Sequence, residues 1–194
     1  MNKKYSGPIA AAVIIIAAVI GAFNYIPGTI EPNTLAPESA EAEDNLEEVI
    51  LLKIVDGDTL RLSIDGEEKK VRLIGINTPE SVAADESRNN EYGVMACDHM
   101  KALLEGVDTL YIEYDEEPLD QYGRTLAYIW LKNTTDSPEE NMLNAIMIKD
   151  GYAIDVVYEP NVKYKNYFFK LKKEAMDNSV GLWQYEGFRA LWKN

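Results

Sequence analysis

The sequence has one cysteine, Cys97, and one histidine, His99. A single cysteine excludes an intrachain disulfide, and without a Cys-x-x-Cys pair or a second histidine the usual zinc ligand sets are excluded too. Both residues fall in a helical pattern, where Cys97 is expected to be a buried small apolar residue. His99 is expected to be a partly buried surface side chain rather than a catalytic one. Positive charge is also scarce. The 194 residues carry 19 Lys and Arg against 33 Asp and Glu, a net charge of −14. From residue 49 onward the balance is still 26 acids against 17 bases. Such a domain cannot rely on Lys and Arg to hold a polyanion, so any nucleic-acid chemistry needs a cation or local positive charge. No internal repeat is visible.

The one long apolar run lies at the start. Ile9 to Phe23 reads IAAAVIIIAAVIGAF after Lys3 and Lys4. Extended to Ile26, a helix here is roughly 27 Å long, against about 30 Å for a bilayer core. Residues 1–27 therefore fit either a signal peptide or a tilted N-terminal membrane anchor. A lipoprotein anchor is excluded, because no cysteine lies directly after the run. With the lysines inside, the remainder lies at the extracellular face of the plasma membrane, or is secreted if the segment is cleaved. Residues 28–48 mix Pro, Ser, Ala and acids without any Lys or Arg, which predicts an acidic disordered linker.

At Val49 the pattern turns to β. Strands are expected at Val49–Val55, Thr59–Ile64, Lys69–Ile76, Thr109–Tyr114 and Thr125–Leu131. Leu60, Leu62 and Ile64 alternate with Arg61 and Ser63, the mark of a half-buried strand. Asp65-Gly66 is a hairpin turn. Helices are expected from Glu91 to Glu105, from a Ser137 cap with Pro138 at the first position through Asp150, and from Lys163 to Ser179. Ser81 to Asn90 reads as a loop beside the motifs below, either a flap over them or an ordinary solvated connection. The fold class is α+β: a five-stranded OB-type β-barrel with three helices over residues 49–185, then an aromatic tail at 186–194.

Chemistry concentrates in one stretch, Asp56 to Glu80. Asp56-Gly57-Asp58-Thr59 is a tight acidic turn, Arg72 sits in a strand, and Asn77-Thr78-Pro79-Glu80 follows. Cleaving a phosphodiester requires a nucleophile in line and neutralisation of charge on the five-coordinate phosphorus. A hard divalent cation on oxygen donors supplies the second and orients the first. Asp58, Asn77 and the Thr78 carbonyl are the candidate donors, and Glu80 can hold or deprotonate a water. Arginine forks match phosphate oxygens at two points. Arg72 and Arg124 are the candidates, and Arg72 must face away from Val71 and Leu73. The turn is not an EF-hand, because Leu60 occupies its third oxygen position.

These motifs resemble the staphylococcal nuclease (thermonuclease) family. The likeness is carried by Asp56-Gly57-Asp58-Thr59, Arg72 to Glu80, Glu91-Tyr92-Gly93 and Asp120 to Tyr128. Gly151-Tyr152-Ala153, Tyr158-Glu159-Pro160-Asn161 and Gly181-Leu182-Trp183 follow in order. It implies an OB-fold barrel, one Ca²⁺, and endonucleolytic hydrolysis of DNA and RNA leaving 3′-phosphate ends. It also implies roles: Asp58, Asn77 and Thr78 at the metal, Arg72, Arg124 and Glu80 in catalysis, and Tyr122 and Tyr158 against the nucleotide. Asn77 stands where the family usually has a ligand aspartate, Gln121 where it has a phosphate-contacting lysine, and Val156 where it has a pocket tyrosine. Weaker Ca²⁺ and nucleotide binding are the expected consequences. The expectation is a calcium-dependent nuclease acting as a monomer without a protein partner. The alternative is a catalytically weak or inactive nucleic-acid-binding module of the same fold.

Overall fold

A computed structural model describes residues 46–81 and 90–193. The apolar run at 9–23, the linker up to residue 45 and most of the loop expected at 81–90 lie outside these residues. Among the described residues no helix is long and apolar enough to cross a membrane.

Five strands close a barrel in the order β1-β2-β3-β6-β5. They are β1 (Glu47–Asp56), β2 (Thr59–Ile64), β3 (Glu67–Leu73), β5 (Thr109–Glu113) and β6 (Thr125–Trp130). All neighbours run antiparallel except β3 and β6, whose parallel pairing closes the seam. Alternation dictates which side chains turn inward. Leu60, Leu62, Val71, Leu73, Leu110, Ile112, Ala127 and Ile129 are fully buried and form the core.

Several boundaries differ from expectation, each for a tertiary reason. β1 starts at Glu47, inside the stretch expected to be linker, because Glu47 and Glu48 continue the ladder with Ile112 and Tyr111. The third strand stops at Leu73. Gly75 turns the chain with φ +76°, and β4 (Ile76–Asn77) pairs instead with β7 (Ile154–Asp155). A side chain at Gly75 would be strained by that φ and would meet the Phe168 ring at 2.6 Å. The second expected helix is two, α2 (Pro138–Asn141) and α3 (Leu143–Lys149). Between them Met142 is extended and bridges Trp130 on β6. Ser137 is left-handed and makes no side-chain cap bond, so the expected cap is unused.

Helix α1 (Glu91–Leu103) is capped by Asn90, whose side chain accepts from the Gly93 N–H. It buries Ala96, Cys97 and Met100. His99 is partly buried, stacked on Tyr152 at 3.9 Å and bonded to Asp150 at 3.0 Å. Burial pushes the Cys97 thiol up, which disfavours the thiolate. Helix α4 (Lys165–Asp177) buries Phe168, Leu171 and Ala175, spaced along one face. The stretch expected as a tail contains helix α5 (Glu186–Leu191), with Phe188 fully buried beside Leu182 and Trp183.

One buried amide ties the barrel to the helices. Asn144 on α3 accepts from the Ile129 N–H at 3.0 Å and donates to the Ile74 carbonyl at 2.8 Å. It thereby fixes β6 and the turn after β3, the two segments that carry the candidate site.

Candidate active site

The parallel seam pairs Val71 with Thr125, Arg72 with Leu126 and Leu73 with Ala127. Arg72 is thus set beside the Asp120–Arg124 turn that leads into β6. As alternation requires, Val71 and Leu73 are buried inward and Arg72 faces the other side. The Asp56–Thr59 turn joins β1 to β2 and lies against Thr78. Gly57 is needed there, since a Cβ would sit 2.9 Å from the Thr78 methyl and 3.0 Å from the Ala96 Cβ.

Asp58 is buried and heavily bonded. Its Oδ1 accepts from the Thr59 hydroxyl at 2.9 Å. Its Oδ2 accepts from the Thr78 N–H at 3.0 Å and the Thr78 hydroxyl at 3.2 Å. The same oxygen lies 3.1 Å from Arg72 Nη2. That Nη2 also donates to Asn77 Oδ1 at 3.0 Å, while Nη1 donates to the Leu73 carbonyl at 2.7 Å. Two hard oxygens, one from Asp58 and one from Asn77, therefore converge on a single positively charged nitrogen. A calcium-like ion, which takes carboxylate, amide and carbonyl oxygens, suits this donor set. Only one member is a carboxylate, and among the described residues no group of three His, Cys, Asp or Glu could hold a metal.

Above this pair opens a cleft of about 1090 Å³. Arg72, Asn77, Thr78, Glu80, Tyr122, Arg124 and Tyr158 all line it. Of the eight residues singled out from the sequence, only Asp58 does not, and it reaches the cleft through Arg72 and Thr78. Four carboxylate residues line the cleft against two arginines, and no lysine does so among the described residues. Tyr122 and Tyr158 are largely exposed, at 76% and 68%. Both are therefore accessible to a ligand, with the Arg124 guanidinium over the Tyr122 ring at 5.8 Å.

Two positioning features were not anticipated. Asp120 holds Arg124: Oδ2 accepts from Arg124 Nε at 2.6 Å, and Oδ1 accepts from the Arg124 and Tyr122 N–H groups at 2.9 Å each. Burial pushes the Asp120 carboxyl up, but these backbone and side-chain bonds outweigh it and hold it below the usual carboxylate range. The sequence signal was an aspartate opening a turn four residues before an arginine. The second is Asn161, which exchanges two 2.8 Å hydrogen bonds with the Glu117 backbone. It ties the Tyr158 loop to the segment that leads into the Tyr122 turn.

Glu80 is placed through its backbone. Its carbonyl accepts from the Asn90 N–H at 3.1 Å. Gly93, in the first turn of α1, packs so closely that an added Cβ would lie 2.4 Å from that carbonyl oxygen. The start of α1 is thus built against the candidate base.

The family model for staphylococcal nuclease homologues matches residues 70–185. The chain belongs to the staphylococcal nuclease family. A thermonuclease from Staphylococcus intermedius is 35% identical over 185 residues, spanning 95% of this chain and 99% of that protein. A thermonuclease from Staphylococcus hyicus is 34% identical over 133 residues, 69% of this chain and 73% of the relative. Endonuclease YncB of Bacillus subtilis (strain 168) is 32% identical over 148 residues, covering 75% and 66%. The family match takes in both arginines, Asn77, Thr78, Glu80 and both tyrosines. Asp58 precedes it and α5 follows it.

Proposed function

We propose that this family member is a calcium-dependent endonuclease that hydrolyses DNA and RNA to 3′-phosphate ends. It acts as a monomer outside the cytoplasm, and is held at the membrane if residues 1–27 remain uncleaved. The observation that carries the reading is the meeting of Arg72, Arg124 and Glu80 in one cleft, with an oxygen pair beneath them. Arg72, on β3, and Arg124, in the turn that enters the adjacent β6, straddle a phosphate with two forks. They stabilise the charge that grows on its oxygens as phosphorus becomes five-coordinate. Glu80 takes a proton from the attacking water. Asp120 keeps the Arg124 fork oriented, and Tyr122 and Tyr158 hold the nucleotide. Calcium, bound by Asp58, Asn77 and the Thr78 carbonyl, would supply the positive charge that a cleft lined, among the described residues, by four acids and two bases lacks.

The test uses the full chain in detergent with single-stranded DNA and RNA, in calcium or in chelator, beside Glu80→Ala. Calcium-dependent cleavage is expected, with 3′-phosphates identified by the response of the ends to phosphatase. Cleavage no greater than that of Glu80→Ala would sink the enzyme reading, and cleavage indifferent to chelator would sink the calcium assignment.

Asn77 sets how much calcium is needed. An amide oxygen binds the ion without neutralising it. Asn77→Asp adds a charge there, although part of it is absorbed by Arg72, which already donates to this side chain. The half-saturating calcium concentration should fall by about tenfold. Calcium titration of activity checks this, and an unmoved midpoint means that Asn77 is not a ligand.

A further inference from the structure

We propose that Trp192, just after helix α5, is a base-stacking contact that makes this cleft selective for single-stranded nucleic acid. The proposal deepens the nuclease reading and rests on it for the site's identity. Helix α5 lies beyond the region matched by the family model, which ends at residue 185. Yet Leu191 and Trp192 line the same cleft as Arg72, Glu80 and Tyr158.

The helix is anchored there. Phe188 is fully buried and meets Tyr92 edge-on at 5.8 Å, Trp183 at 5.0 Å and Trp192 at 6.2 Å. Gly187 packs against the Tyr92 ring, where a Cβ would lie 2.3 Å from the phenol oxygen and would push that ring aside. Arg189 donates to the Trp183 carbonyl and, at 2.8 Å, to the Ser179 hydroxyl. Tyr92 in turn belongs to the first turn of α1, whose cap residue Asn90 donates to the Glu80 carbonyl. Trp192 is therefore held by the same framework that places Glu80, and it remains only partly buried.

The chemistry follows from what the cleft lacks. Among the described residues its lining has four acids, two arginines and no lysine, so it gains little from phosphate charge. Stacking on aromatic faces is the remaining general way to hold nucleotides, and it tolerates any base. Tyr122, Tyr158 and Trp192 come from three separate segments and ring one cleft. At about 1090 Å³ it stands at the upper end of small-ligand pockets, with space beyond a single nucleotide. Only unpaired bases can use such faces, because a duplex keeps its bases stacked on one another.

The experiment compares the full-length protein with Trp192→Ala, Trp192→Leu and Trp192→Phe. Cleavage is measured on a nitrophenyl ester of one nucleotide, a single-stranded octamer and the matching duplex. Binding of a labelled octamer is measured by anisotropy in the Glu80→Ala background. Trp192→Ala and Trp192→Leu should raise the octamer KM and weaken octamer binding by about tenfold. Both should leave kcat and KM on the ester unchanged, Trp192→Phe should retain most of the octamer affinity, and the single-strand preference should shrink with the loss of the ring. Leucine keeps the apolar packing, so the contrast between leucine and phenylalanine reads stacking even if alanine loosens the helix. Equal octamer binding across all four proteins overturns the proposal, as does an equal loss on octamer and ester. A parent protein that binds the octamer through Trp192 but cuts nothing would instead overturn the nuclease reading alone.

Discussion

Replacing Arg124 with alanine should lower kcat by about a thousandfold while leaving the barrel folded. The guanidinium is one of two positive groups that line the cleft among the described residues, and Asp120 fixes its orientation before substrate arrives. Its benefit therefore falls on the transition state, where phosphate charge is greatest, and little of it on ground-state binding. Arg124→Lys should recover only a small part, because an ammonium cannot make the two-point contact and loses the fixed geometry set by Asp120. Single-turnover cleavage at saturating calcium measures this directly. A loss confined to KM would mean that Arg124 merely binds substrate.

Gly93→Ala should do more damage than its chemistry suggests. Inside an exposed helix, glycine to alanine gains about 1 kcal/mol. Here the added methyl would lie 2.4 Å from the Glu80 carbonyl oxygen, 2.5 Å from its carbon and 2.8 Å from the Pro79 oxygen. These are backbone atoms, so relief requires α1 or the Pro79–Glu80 segment to move by roughly an ångström. Overpacking of this kind costs about 1–3 kcal/mol, which exceeds the propensity gain. A displacement of that size at a general base lowers kcat by about a hundredfold. Denaturant midpoints and kcat should fall together. A more stable and fully active variant would show that α1 does not set the position of Glu80.

Much of the barrel was legible because its strands alternate. Leu60, Leu62 and Ile64 on β2 have the period of a strand with one buried face, and they are buried as that period requires. What local pattern could not show were boundaries decided by distant partners. The break after Leu73 is hidden in an apolar run, and it is set by the Gly75 turn under Phe168 and by the pairing of β4 with β7. The break at Met142 depends on a bridge to Trp130. At the site, Arg72 and Arg124 were legible as residue types suited to phosphate, and alternation gave the direction of Arg72. Asp120 was missed because it acts on an arginine rather than on substrate. Helix α5 was missed because six residues give too short a window for a helical period.

The parallel seam has a consequence for timing. Arg72 and Arg124 are far apart along the chain and become neighbours only when β3 pairs with β6, the contact that closes the barrel. Such long-range parallel pairing is slow to form. Under the proposed function, a chain that has every other strand in place but an open seam lacks its phosphate clamp, and cleavage waits for the barrel to close.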